Sequence, residues 1–453
     1  MRFIFTCCLV IVIGLFAGCR TAPWREPVPR TWGEVHALLA PPPAVRVPAD
    51  AVDATTLEGK VMAGYQGWFV AHDDGAGLGW THYGAAAAGA DSTRPRRFAP
   101  GSATIDLWPD MTEAGPSERY PTAFRHADGA VAEVFTSRHP DTIDRHFRWM
   151  REYGIDGVFL QRFASTLNRM PLAAVRNQVL GRVRSSAARH GRTWAIMYDL
   201  SGMREGTIEQ VVMEDWKRLV DVGGIQRDPR LQHHRGRPVV AVWGIGFNDG
   251  RRYSLEECER LVRWLKEDPV YGGNAVVLGV PYSWRTLNRD TVPDPAVHRI
   301  CALADVVSPW SVGRLHTVED AAARGAVVGP DLAWTRERGL DYLPVIFPGF
   351  SWHNLKKSRG LIAASNQIPR RGGEFYLAQA DATLAAGARM LYVAMFDELD
   401  EGTAIMKTSL HPPVGESPFV AEPGVASDHY LRLTGQIRER LRRQTGVAVP
   451  SRQ

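Results

Sequence analysis

The stretch Met390-Leu391-Tyr392-Val393-Ala394-Met395-Phe396-Asp397-Glu398-Leu399-Asp400-Glu401-Gly402-Thr403 decides how this chain reads. Six apolar residues suited to a buried strand run directly into four carboxylates within five positions. Such carboxylates repel one another unless water, a cation or a polar ligand lies among them. A pair spaced Glu-x-x-Glu at a strand end can hold two carboxyl groups in different protonation states, which is what cleavage at an anomeric carbon requires. The alternative for such a cluster is a solvated acidic loop.

Working outward, seven further runs resemble this strand: Val61 to Phe69, Gly157 to Phe163, Thr193 to Leu200, Pro238 to Ile245, Ala275 to Pro281, Asp305 to Trp310, and Tyr342 to Phe347. Helical patterns separate them. Asp141 to Tyr153, with Asp141 as its cap, places Ile143, Phe147 and Met150 on one face and stops at Gly154. The others are Leu172 to His190, Ile208 to Val222, Ser254 to Glu267, a short Asp320 to Arg324, Glu374 to Ala386 and a closing Asp428 to Arg443. Eight strands alternating with helices predict an α/β fold, a (β/α)8 TIM barrel with a long loop insertion after strand 1, over residues 70 to 138. No Gly-rich phosphate fingerprint follows the first strand, so a dinucleotide-binding sheet is not expected.

A barrel places its chemistry at the carboxyl ends of its strands. Trp68, Gln161, Arg162, Tyr198, Asp199, Trp243, Tyr282, Trp310, Trp352 and His353 all fall there, and His82, Trp108 and Asp110 lie in the insertion. These are the candidate substrate-binding residues, with Glu398 and Glu401 as candidate catalytic residues. Asp199 reads either as a ligand for a sugar hydroxyl or as a loop cap. Arg162 reads either as a clamp for an anionic sugar or as support for a carboxylate.

The remaining features bound the function. Met1-Arg2, the apolar run Phe3 to Phe16, and Ala17-Gly18 before Cys19 read as an export signal of bacterial lipoprotein type, too short to span a membrane. Residues 1 to 19 are then the signal, with Cys19 as the lipidation site and the protein an exported, membrane-anchored lipoprotein on the periplasmic or cell-surface face of the outer membrane. Residues 20 to 55 are Pro-rich and read as a semi-extended tether with a helical turn near Trp32 to Leu39; residues 56 to 453 form the catalytic domain. Cys258 and Cys301 are the cysteines left in the folded body, either paired or free.

The formal charge of +5 is modest and the arginines are scattered, which argues against a nucleic-acid partner. Fourteen tryptophans fit stacking on sugar faces. His233-His234 lack a nearby carboxylate in sequence, and neither a metal nor a cofactor is expected. No His-Glu-x-x-His or Gly-x-Ser-x-Gly pattern is present.

Gly64-Tyr65-Gln66-Gly67-Trp68-Phe69, Asp106-Leu107-Trp108-Pro109-Asp110, His146-Phe147-Arg148-Trp149-Met150, Gly154 to Phe163 and the terminal Glu-x-x-Glu-Gly-Thr resemble, in this order, the bacterial glycoside hydrolase family 71/99-like proteins from about residue 58 onward. Such proteins are often labelled xylosidase/arabinosidase. In the related family 99 endo-α-mannosidases the last motif reads Glu-Trp-His-Glu-Gly-Thr. The resemblance implies that Glu398 deprotonates the 2-hydroxyl of the sugar and that Glu401 is the general acid/base, in a retaining route through a 1,2-anhydro sugar. That route demands 1,2-trans glycosides of an oligosaccharide or polysaccharide. Leu399-Asp400 replaces the Trp-His pair, and Asp400 either raises a neighbouring glutamate's pKa or faces solvent. The competing reading is a non-catalytic surface glycan-binding lipoprotein on a degenerate barrel.

Overall fold

A computed structural model describes residues 22–86 and 96–447. Cys19 and the export signal lie outside the described residues. Eight parallel strands close a barrel: β1 (Val61–Tyr65), β2 (Gly157–Phe163), β3 (Thr193–Asp199), β4 (Arg237–Trp243), β5 (Ala275–Pro281), β6 (Val306–Trp310), β7 in two halves (Asp341–Tyr342 and Val345–Ile346) and β8 (Leu391–Val393). β1 pairs with both β2 and β8, Met62 lying opposite Gly157 on one side and Tyr392 on the other. The ring closes through β7, whose first half pairs with β6 and whose second half pairs with β8. Sequence periodicity reads β7 as continuous. Pro344 interrupts it, because proline has no N–H to donate to the ladder.

Side-chain alternation sorts the core into two layers. Met62, Phe159, Met197, Ala241, Val277 and Tyr392 fill the barrel interior. Their strand neighbours Val61, Val158, Ile196, Val240, Val276 and Leu391 pack outward against the helices. The helix Pro140–Tyr153 buries Ile143, Phe147 and Met150 as its pattern predicts and ends at Gly154, although His139 and not Asp141 is its N-cap. Ser254 and Glu257 form a capping box on Leu255–Glu267. Three helices escape the periodicity reading: Ala296–Leu303, Gly325–Glu337 and His353–Ser358. The second carries an internal proline, Pro330, and the other two have only 8 and 6 residues, where an apolar stripe has little room to repeat.

The Pro-rich segment corrects the tether reading. Thr31 caps a helix over Trp32–Ala37, and Val35 is buried against Ala173 and Ala174 on the long helix Met170–His190. Glu26 binds Arg182 and accepts a 3.0 Å hydrogen bond from Gln178, while the Val52 N–H donates to the Gly191 carbonyl. Residues 24 to 56 therefore run along the outside of the barrel as part of its packing. Cys258 and Cys301 are both buried free thiols. No helix among the described residues is long and apolar enough to cross a membrane.

Candidate active site

The acidic segment leaves β8 and folds back on itself. The Ala404 N–H donates to the Glu398 carbonyl at 3.1 Å and the Ile405 N–H to the Met395 carbonyl at 3.0 Å, so the turn presents its carboxyls at the barrel mouth. Gly402 makes the return with φ of 65°, and a Cβ there would lie 2.9 Å from the Ser351 nitrogen. The close approach puts the loop after β7 against the acidic turn, where the Ser351 N–H donates to the Glu401 carbonyl at 3.0 Å.

The four carboxyls have different surroundings. Asp397 accepts the main-chain N–H groups of Gln66 at 2.7 Å and Gly67 at 2.9 Å, tying the ends of β8 and β1 together. Glu398 accepts from Gln66 Nε2 at 2.8 Å on one oxygen and from Thr403 Oγ1 at 2.9 Å on the other. Asp400 meets His82 Nδ1 at 3.2 Å with one oxygen, and its other oxygen has no hydrogen-bond partner. The Glu401 carboxyl receives no side-chain donor among the described residues. His82 has a left-handed φ of 63°, uncommon for a residue with a side chain, which lays its ring on Trp68 with centroids 3.8 Å apart.

Burial and mutual repulsion hold protons on this cluster. Desolvation, with the charges of Glu401 and Asp400 next, pushes Glu398 well above the usual carboxylate range. Desolvation and then Asp400 raise Glu401 to about 8; Asp400 and Asp397 rise to about 7, again mainly through burial. Burial and three arginines, Arg176, Arg96 and Arg359, keep His82 neutral, so its contact with Asp400 is a hydrogen bond and not an ion pair. Such groups titrate as a set. Of the two glutamates, Glu398 has a donor on each oxygen that favours its anion, whereas Glu401 has none among the described residues.

Above this floor opens a cleft of about 870 Å³. Glu398 and Glu401 lie in it with Trp68, His82, Gln161 and Asp199. Trp243, Trp310 and Trp352 form its aromatic walls. The indole N–H groups of Trp68, Trp243 and Trp352 are buried without an acceptor among the described residues. Asp199 accepts the Ser201 N–H at 2.7 Å, so it caps a loop as well as lining the cleft.

Six candidates lie elsewhere. Arg162 and Tyr198 follow or precede inward residues on their strands, so alternation turns them outward; Arg162 makes a two-pronged pair with Asp215 at 2.6 Å and Tyr198 donates to the same carboxylate at 2.7 Å. Arg162 thus fixes a carboxylate outside the cleft. Trp108 is buried within the insertion, stacked on Phe98, with its N–H donated to the Glu133 carbonyl. Asp110 caps a turn at Thr112. Tyr282 packs on the barrel core with its N–H on Asp290, and His353 turns its ring to the Ala363 carbonyl.

Three residues were not singled out by sequence yet shape the site. Gln66 stands in the quoted Gly-Tyr-Gln-Gly motif, where its place just past β1 was the available signal. Asp106, within the Asp-Leu-Trp-Pro-Asp run, accepts from Ser351 Oγ and from the N–H groups of His353 and Asn354 at 2.8 Å each, anchoring the loop that carries Trp352. Arg359 reaches the cleft from a short helix that carries no sequence signal. Among the described residues no cluster of three His, Cys, Asp or Glu groups is arranged to hold a metal ion. His234 accepts the Leu57 N–H and binds Asp341 at 2.7 Å at the opposite end of the barrel.

No protein-family model and no curated protein sequence matches the chain. Solved structures do. The GH99 endo-α-mannosidase from Bacteroides thetaiotaomicron superposes with a TM-score of 0.60 at 16% identity, covering 86% of this chain and 99% of that one. The fold is GH99-like. The same enzyme with Bis-Tris-propane gives 0.60 at 15% identity over 87% of this chain and 100% of that one. GH5_18 from Streptomyces cattleya in complex with GlcNAc is more distant, with a TM-score of 0.44 at 14% identity over 70% of this chain and 77% of that one. The chain thus shares the barrel fold of the GH99 structures, with its own acidic turn at the carboxyl end of β8.

Proposed function

We propose that the protein is a retaining glycoside hydrolase acting on 1,2-trans glycosides. The observation that carries this reading is the unequal pair at the cleft floor: Glu398 held by two donors and Glu401 held by none, both in a low-dielectric site. In the first step Glu401 gives its proton to the glycosidic oxygen as the C1–O bond breaks. Glu398 takes the proton of the sugar's 2-hydroxyl, and the freed oxygen closes on C1 to form a 1,2-anhydro sugar. In the second step Glu401, now a carboxylate, takes a proton from water that attacks C1, and Glu398 returns its proton to O2. The 2-oxygen must attack from the face opposite the leaving group, which admits α-mannosides, β-xylosides, β-glucosides and α-arabinofuranosides and excludes α-glucosides.

The test is hydrolysis of aryl glycosides of these classes by the protein and by Glu398→Gln and Glu401→Gln. Turnover of a 1,2-trans member with retention, lost in both variants, supports the reading. Sugar binding without turnover on any of them supports the glycan-binding lipoprotein instead. We further propose that Cys19 is lipidated and anchors the exported protein to a membrane. Cys19→Ser then releases it from the membrane fraction, and unchanged fractionation would sink that proposal.

A further inference from the structure

Two cations line the cleft without a hydrogen-bonded carboxylate partner among the described residues. Arg96 comes from the insertion after β1 and Arg359 from the end of the helix His353–Ser358, and both line the same concavity. The third arginine that lines it, Arg314, is neutralised by Asp290 at 2.7 Å. Among the described residues, Arg96 makes a long 3.5 Å contact with the Gly84 carbonyl and no ion pair, and the Arg359 guanidinium has no hydrogen bond or ion pair. Lys356, one helical turn before Arg359, lies 3.9 Å over the ring of Trp352 and makes no ion pair among the described residues. Like charges held near one another in a cleft repel, and a bound anion removes that cost.

We propose that Arg96 and Arg359 form a subsite for an anionic substituent of a glycan, a carboxylate or a sulfate ester, seated beside the acidic floor. The proposal rests on reading this cleft as a glycan site. A guanidinium fork matches either group through paired N–H donors, and Trp352 offers a ring face next to it for the sugar that bears the charge. The floor does not forbid an anion. Arg359 faces Asp400 and Glu401 and offsets them, and both carboxyls are pushed up toward neutral forms by burial. The depression of the Arg96 pKa by burial and by the charge of Arg359 agrees with two guanidiniums sharing one space.

The experiment uses the full-length Glu401→Gln protein in affinity electrophoresis through gels containing polygalacturonate, glucuronoxylan, a sulfated galactan, neutral xylan or neutral mannan. Expected is retardation by at least one anionic polymer, weakened about tenfold or more by Arg96→Ala with Arg359→Ala. A control pair that removes the same charge from the outer surface, Arg336→Ala with Arg443→Ala, leaves retardation unchanged. Retention by polygalacturonate or glucuronoxylan assigns a carboxylate, and retention by the galactan a sulfate. No retention by any anionic polymer, or equal loss in both variant pairs, overturns the subsite. Turnover of neutral glycosides without arginine-dependent retention overturns the subsite and leaves the hydrolase reading intact. Arginine-dependent retention without turnover by the unsubstituted protein does the reverse.

Discussion

Gln66 Nε2 donates to Glu398 Oε1 at 2.8 Å, so a side chain at the end of β1 holds a carboxyl at the end of β8. The two positions are 332 residues apart in the chain and adjacent only because the barrel closes. A donor to a carboxylate favours its ionised form. Gln66→Leu therefore raises the Glu398 pKa further and moves the acidic limb of the kcat/KM profile to higher pH, with about a tenfold or greater loss in kcat. Thr403→Val, which removes the other donor, acts in the same direction.

Burial and Asp400 push Glu401 up to about 8, so with Glu401 as the proposed proton donor kcat/KM falls as pH rises through about 8. Glu401→Gln removes that limb. Its loss is large on substrates with a poor leaving group, on the order of 10²-fold to 10⁴-fold, and much smaller on dinitrophenyl glycosides, whose leaving group needs no proton. A comparison of the two substrate types measures this directly.

Asp400 places a stability cost on the fold at high pH. Its folded pKa, about 7, exceeds the ordinary value of 3.8, so the folded state binds the proton more tightly. The cost is absent below pH 4, grows from pH 4 to 7 and is constant above. Asp400→Asn therefore leaves Tm unchanged at pH 4 and raises it by a few degrees at pH 8, as read by thermal unfolding across that range.

Asp106 fixes the loop that carries Trp352 by accepting from Ser351, His353 and Asn354. Asp106→Asn turns an amide N–H toward donors and leaves at least one of them unpaired, at a cost of about 1–3 kcal/mol in urea unfolding. Loosening Trp352 also raises KM more than it lowers kcat.

Gly402 sits where a side chain would press on the Ser351 nitrogen, in a backbone conformation that favours glycine. Gly402→Ala shifts the acidic turn and abolishes activity while the far-UV spectrum stays that of the barrel. Unchanged kinetics in this variant would show that the turn tolerates the displacement.

The order of βα units, the inward period of each strand and the carboxylates after Met395 were written in the chain itself. They follow from local rules: a strand alternates its faces every two residues, a helix repeats near every four, and polar clusters mark strand ends. The same alternation would have placed Arg162 and Tyr198 outside the cleft, since Gln161 and Asp199 beside them point in. What strand-end position alone does not reveal is which face each residue takes. The Gln66 to Glu398 bond, the hold of Asp106 on the Trp352 loop, and the meeting of Arg96 with Arg359 depend on barrel closure and on a loop fold that brings distant segments together. Those contacts pair residues hundreds of positions apart, and only the tertiary structure decides them, because no local propensity records a partner so remote.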